Sequence, residues 1–281
     1  SYNIPGLEII EEGKFTSARS DVWGISDLSL FKEAHNKLKG IKEKPFFAII
    51  QTAGFHRPYT IPTDHLKFQA KTFNSQKVKD AGFISNDEFN SLHFQDYSLG
   101  HFFDLATKSE YFKNTLFVIT GDHGLPDNAA KHLKKGDVYF GLTRWHVPLI
   151  FYSSRLFSEP KVIDDMASEL DIMTTVASLA GIAHTNSTLG RNLFSGVPPF
   201  PYAFLYTYYD NPPGTGLVDN QYYMKCDAVK CHGLFDYTSQ TPEQDLTLTM
   251  PDKALEMKNL AVGLYETSKY LLYHNPNPLV K

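Results

Sequence analysis

Cysteine is almost missing from the 281-residue sequence, which has two, Cys226 and Cys231, in YYMKCDAVKCHGLFDY. The four residues between them do not fit the Cys-x-x-Cys spacing of redox motifs and zinc ribbons, and no second pair exists to complete a zinc site. Long apolar runs are also lacking. None approaches the ~20 residues of a membrane helix, so the chain as given is not expected to cross a bilayer. The opening SYNIPGLEII has neither an initiator Met nor the basic-then-apolar profile of a signal peptide. Charge of one sign is scarce: 27 basic residues stand against 31 acidic ones, a formal charge of -4, and no basic run reaches five residues. A nucleic-acid groove therefore has no electrostatic support. There is no repeat, no low-complexity stretch, and no Gly-x-Gly-x-x-Gly, Walker loop, Gly-x-Ser-x-Gly or His-Glu-x-x-His. What remains is 42% hydrophobic and 14% aromatic, too apolar for disorder and enough for one large domain or two small ones.

The two cysteines leave two readings open. If Tyr222–Cys226 and Cys231–Asp236 form a hairpin around Asp227–Lys230, the sulfurs face each other and can close a disulfide, which suits an oxidising compartment. The other reading is a pair of free thiols. His232 is read as incidental.

Apolar periodicity predicts a helix over Ser29–Leu38, capped by Ser26 or Asp27, and a longer one from Asn86 to about Lys108. Three β-branched and aromatic runs read as buried strands: Phe46–Gln51, Thr115–Thr120 and Val147–Tyr152. Asp164–Leu179 reads as an amphipathic helix stopped by Gly181. Strands alternating with helices predict an α/β fold, a mostly parallel sheet with helices on both faces. After Gly196 the texture changes to short strands (Phe204–Tyr209, Gln221–Cys226, Leu234–Tyr237) and a last helix over Asp252–Tyr273. The expected division is residues 1–195 as the main domain and 196–281 as a small antiparallel α+β subdomain.

In open parallel sheets ligands gather at the carboxyl ends of strands. The run TLFVIT delivers Asp122 and His123 to such an end. A carboxylate and an imidazole on one tight turn can bind a divalent metal, and Gly121 and Gly124 let the backbone turn. The bland alternative is a capping aspartate and a packed histidine. Beyond FFAIIQ comes Gly54-Phe55-His56-Arg57-Pro58-Tyr59, where a cationic pair suits phosphate or sulfate: Arg57 by bidentate contact, His56 as donor or general acid. Lys131 and His132 are candidates to fold back over ligand. His146, at a strand's amino end, is read as structural, and Asp171 as an acid favourable to a helix N-terminus.

The order of these pieces resembles the sulfatase-like branch of the alkaline phosphatase superfamily, most of all the lipoteichoic-acid-synthase type of phosphoglycerol and phosphoethanolamine transferases. The resemblance runs from Trp23 to about Leu193. It covers WGISDLSLFKEA, the strand into TAGFHRPY, the helix with Asp96 and Gly100, NTLFVITGDHG, HVPLIFY, and DIMTTVASLAGI with its LGRNLF tail; LFDYTSQTPEQDL and the last helix are similar to a sulfatase C-terminal subdomain. It implies Asp122 and His123 as ligands of a catalytic divalent metal, zinc or manganese, or calcium or magnesium in a sulfatase. It implies substrate contacts at His56, with Arg57 and His132 added from the residues themselves.

The family's Thr or Ser nucleophile and acidic metal ligand have no counterpart here, and no Cys/Ser-x-Pro-x-Arg is present. The chain is thus expected to be the C-terminal part of a catalytic domain, inactive alone and weak in metal binding, with no catalytic nucleophile of its own. The implied whole is an extracytoplasmic enzyme, anchored through membrane helices preceding Ser1, that acts on a phospholipid-linked or sulfated anionic substrate. One departure is Gly124, sulfatase-like where lipoteichoic acid enzymes tend to carry Tyr. Sulfatase activity and non-catalytic binding of an anionic polymer are the alternatives.

Overall fold

Helices begin where a short polar side chain can take up a free backbone N–H. The computed structural model, which describes residues 4, 6–42, 44–125, 132–196, 201–207, 214–228 and 230–274, starts α1 (Asp27–Leu38) at Ser26, whose hydroxyl accepts from Ser29 N at 3.0 Å. Asn74 caps α2 (Ser75–Asp80), a helix not anticipated from the sequence, and Ser85 caps α3 (Asn86–Ala106). Two units are formed: Ser1–Val118 with Asn128–His132 and Phe151–Ser158, and Ile119–Asp127 with Leu133–Ile150 and Glu159–Lys281.

In the first unit α1 packs on α3 around Phe31, Leu38, Phe102, Ala106, Tyr111 and Phe112. A smaller cluster joins Leu28, Phe68 and Phe94. Strands β1 (Phe117–Thr120) and β2 (Leu149–Tyr152) form a two-stranded sheet, and the chain passes between the units inside each of them. The expected buried strand at Phe46–Gln51 is a correction: these residues belong to no sheet. Phe46 and Ile50 pack on the helical core while Phe47 and Ile49 are 64% and 81% exposed. The alternation is that of extended backbone with one packed side. A strand, however, also needs a neighbour to complete its hydrogen bonds, and no segment among the described residues supplies one.

The second unit is built on an antiparallel sheet in the order β3-β4-β5-β6 (Ala203–Thr207, Gly214–Val218, Tyr222–Asp227, Cys231–Asp236). The last helix, α6 (Pro251–His274), lays Ala254, Met257, Ala261 and Leu264 against Leu217, Met224, Cys226 and Leu234. Strand β4 was not anticipated, its Gly-Thr-Gly start giving no alternation to read; part of the expected strand at Phe204–Tyr209 lies outside the described residues. Cys226 and Cys231 are cross-strand partners joined by a disulfide, S–S 2.06 Å. Beside them His232 is not idle, since its Nε2 lies 2.6 Å from Asp227 Oδ2.

Helix α5 (Leu170–Leu179) starts later than the expected Asp164. Its start is set by Asp171, buried, whose Oδ2 accepts from Ser168 N at 2.8 Å and whose Oδ1 accepts from Arg191 N at 2.9 Å. One turn on, Thr175 accepts from Leu193 N at 3.1 Å and donates to Arg191 O at 3.3 Å. Gly190 fits because a Cβ there would lie 1.8 Å from Leu170 O. Gly181 ends the helix at φ +67°, as its sequence position predicts.

Candidate functional site

The first candidate is the turn that leaves β1. Thr120 ends the strand; Asp122 and His123 follow, both exposed. The turn is held by backbone: Gly124 N donates to Arg144 O at 2.8 Å. The approach is so close that a Cβ on Gly124 would sit 1.9 Å from Thr143 O, so no other residue fits without moving main chain. Asp122 Oδ1 accepts from His123 N at 3.0 Å. His123 Nδ1 lies 3.0 Å from Gly124 O. A carbonyl only accepts, so Nδ1 carries the proton, and in the neutral ring Nε2 is the nitrogen left to ligate. That is how a metal-ligating imidazole is prepared, with its second nitrogen fixed by a backbone carbonyl.

Among the described residues Asp122 Oδ2 and His123 Nε2 carry no hydrogen bond, and their chemistry is of the kind that could hold a divalent cation. They make two ligands: among the described residues no three His, Cys, Asp or Glu side chains gather into a metal-holding group. Glu169, at the start of α5, feels the charge of this turn. Its carboxyl is raised by burial and further by the charge of Asp122. In the same unit the segment after the turn forms the short α4 (Lys135–Tyr139). Asp137 there is raised by burial, an effect opposed by Lys134 and by His146, which is exposed rather than packed.

The second candidate is the turn after Gln51, in the first unit. Its anchor is Asp27, 1% exposed, which accepts from Ala53 N at 3.0 Å and from Gly54 N at 3.1 Å. Ser91 in α3 donates to Gly54 O at 2.6 Å. Burial pushes the Asp27 carboxyl up, more than these two N–H groups bring it down, and Asp21 adds to the rise. From this anchored base His56 and Arg57 emerge exposed. The Arg57 carbonyl takes two bonds, from Trp23 Nε1 at 2.6 Å and from His56 Nδ1 at 3.0 Å. The His56 and Trp23 rings lie 3.9 Å apart between centroids. His56 Nε2 is thereby turned outward, with the Arg57 side chain as its neighbour in sequence. Tyr59, at φ +64°, donates to the buried Glu88 at 2.8 Å; burial raises its hydroxyl, an effect that the neighbouring Arg57 opposes.

Within this unit the structure gathers His56, Arg57 and Trp23; His132 is exposed and Lys131 lies outside the described residues. Sequence reasoning gave Trp23 no role, took Asp27 only as a possible helix cap, and gave Glu169 no role. The signal for the first two was present in WGISD: a tryptophan beside a capped helix start, and an acid at that start that Ser26 relieves of capping. Nothing local marks Glu169.

The family model described as Sulfatase matches residues 2–182, more than half of the chain. The chain belongs to the sulfatase family. Its relatives include the lipoteichoic acid synthase-like YvgJ of Bacillus subtilis, 23% identical over 272 residues, 93% of this chain and 41% of that protein. Lipoteichoic acid synthase 2 of the same organism is 26% identical over 57% of this chain and 24% of that protein. The chain thus spans less than half the length of these curated relatives. Among solved structures, a protein in the alkaline phosphatase superfamily from Vibrio parahaemolyticus superposes with a TM-score of 0.66 at 22% identity, over 92% of this chain and 59% of that one. The lipoteichoic acid synthase LtaP from Listeria monocytogenes gives 0.63 at 19% identity, over 89% and 60%. The sulfatase-family chain therefore has the α/β fold of the alkaline phosphatase superfamily, and the expected kinship with lipoteichoic acid synthases holds.

Proposed function

We propose that this chain carries the metal-ligand turn and an anion-recognition turn of an enzyme that transfers or hydrolyses a phospho-group of the phosphoglycerol or phosphoethanolamine type. The observation that carries the reading is the Gly121–Gly124 turn: an exposed carboxylate beside an exposed imidazole whose Nδ1 is tied to Gly124 O. Asp122 and His123 would hold zinc or manganese. Bound there, the cation would lower the pKa of an attacking hydroxyl and offset charge on the phosphoryl oxygens. With Nδ1 already donating to Arg57 O, His56 would donate from Nε2 to a phosphoryl oxygen, or pass it a proton, in its imidazolium form, and the exposed Arg57 guanidinium would pair with the anion. His132 is retained as a further substrate contact. The hydroxyl nucleophile is proposed to lie in a part of the protein that the longer relatives have and residues 1–281 do not, and residues 196–281 to act as a subdomain of the catalytic domain.

One observation favours a second reading, a sulfatase using calcium or magnesium. Gly124 is sulfatase-like, and the 1.9 Å approach of Thr143 O explains why no side chain is accepted there. Both readings place the enzyme outside the cytoplasm, which the Cys226–Cys231 disulfide supports. Membrane attachment would come through another part of the protein, as no helix among the described residues is long and apolar enough to cross a bilayer.

The test is turnover of a chromogenic phosphodiester and of an aryl sulfate by the full-length protein, with and without Asp122→Ala. Phosphodiester cleavage that collapses in the variant supports transfer or hydrolysis of a phospho-group, and the same result with the sulfate supports the second reading. Metal-independent retention of an anionic polymer, unchanged by the substitution, would instead mark a binding domain.

A further inference from the structure

A cavity of about 340 Å³ opens in the second unit between Tyr202, the β4–β5 turn and the first turns of α6. Its floor is apolar: Leu217 and Met257 are 1% and 2% exposed, with Leu260 beside them. Its rim is polar. Lys253 Nζ lies 3.2 Å from Asp219 Oδ2 and 3.3 Å from Glu256 Oε1, above the Tyr222 ring at 5.8 Å from the centroid. One ammonium against two carboxylates leaves the lining one charge negative. A phosphate or sulfate would be repelled, so this site differs in chemistry from the His56–Arg57 turn.

The polar groups on offer decide the ligand class. The side-chain amide of Asn220 and the hydroxyls of Tyr202 and Tyr222 line the cavity and carry no hydrogen bond among the described residues. Lys253 has a third N–H beyond those directed at Asp219 and Glu256, and Glu256 has a second oxygen. Donors and acceptors are thus interleaved above an apolar floor. A ligand that only donates or only accepts would leave half of them unpaired. A hydroxyl does both, and a ring carrying several hydroxyls also presents a C–H face to apolar side chains. The volume is at the lower end for small-molecule sites, about 300 to 1,000 Å³, and suits one ring.

We infer that this cavity is a saccharide subsite that takes a single neutral hexose unit. The inference is independent of the transfer reading, so Asp122→Ala leaves it unaffected.

The experiment is saturation-transfer NMR and titration of the 281-residue protein with methyl glucoside, methyl galactoside and N-acetylglucosamine. Inorganic phosphate and choline serve as competitors. The expected result is saturable binding of at least one sugar, with a dissociation constant of about 1 to 10 mM, and shifts in the Tyr202 and Tyr222 ring signals. Asn220→Ala combined with Tyr222→Phe should weaken it about 5- to 10-fold, the loss of one or two hydrogen bonds, while the thermal midpoint stays put. Absence of saturable sugar binding would overturn the inference. So would equal affinity in a folded double variant, or displacement of the sugar by choline or phosphate.

Discussion

Two turns in this chain follow apolar runs of similar texture, and they are held by opposite means. Thr120 leaves a strand that is paired in a sheet, and the Gly121–Gly124 turn is held to the rest of its unit by backbone, a Gly124 N–H on Arg144 O and a glycine pressed on Thr143, while the Asp122 and His123 side chains bond only inside the turn. Phe46–Gln51 has no strand partner among the described residues, and its turn is held by a buried carboxylate that collects the N–H groups of Ala53 and Gly54. Where sheet pairing fixes the exit of the chain, the turn requires little chemistry of its own. Where pairing is missing, one acidic side chain from a neighbouring helix takes over the two donors.

The largest effect should come from the exposed pair on the first turn. In the full-length enzyme Asp122→Ala is expected to cut turnover about 10³-fold, some 4 kcal/mol of barrier. Urea unfolding should shift by less than about 0.5 kcal/mol, because the side chain is exposed. A large loss of stability would mean that the carboxylate holds the turn, as Asp27 holds the other.

Next in size is Gly124→Ala, expected to cost about 3 kcal/mol, since the obstructing atom belongs to main chain and cannot rotate away. Denaturant midpoints would show it. A neutral result would break the claim that close backbone packing is the main support of this turn.

Asp27→Ala should cost about 2 to 3 kcal/mol by leaving two donors unmet. Asp27→Asn sharpens the point through pH. The folded carboxyl lies above its ordinary 3.8, so its contribution to stability is full below that value and falls as pH rises through the raised one. Urea midpoints measured from pH 4 to 7 should fall less steeply for Asp27→Asn than for the native protein. Parallel curves would show that this side chain is not the source of the slope.

Smallest of the set is the hairpin crosslink. Replacing both Cys226 and Cys231 by Ala closes no covalent loop and should cost about 2 kcal/mol, the value for so short a loop. Thermal midpoints with and without reductant would measure it, and a native protein indifferent to reductant would contradict it.

Much of this was legible because the signals were local. Ser26 marks a helix start by residue type, Gly181 marks a stop, and apolar periodicity announces α3 and α6 within a few residues of their observed bounds. The fate of Phe46–Gln51 was not local: apolar texture records which side packs, whereas strand pairing depends on another segment. The late start of α5 was hidden for the same reason, its acid bonding to Arg191 twenty residues on as well as to Ser168. For the candidate site, Asp122, His123, His56 and Arg57 could be picked out by type and neighbours. The supports could not, since Asp27 and Trp23 reach their partners across 26 to 34 positions of sequence.

The bonds that Asp171 and Thr175 make to the 191–193 segment have a consequence for how this region can vary. Two side chains on one face of α5 clasp the returning tail at both ends of a short backbone stretch, and Gly190 lets it lie flush. With the take-off and the landing both pinned, and Asn186 tying the landing turn to Gly190 O at 2.6 Å and to Thr188, the excursion ahead of Asn186 is the part left to vary. It can lengthen or shrink at little entropic penalty, whereas a single residue added between 171 and 175 would throw the clasp a third of a turn out of line.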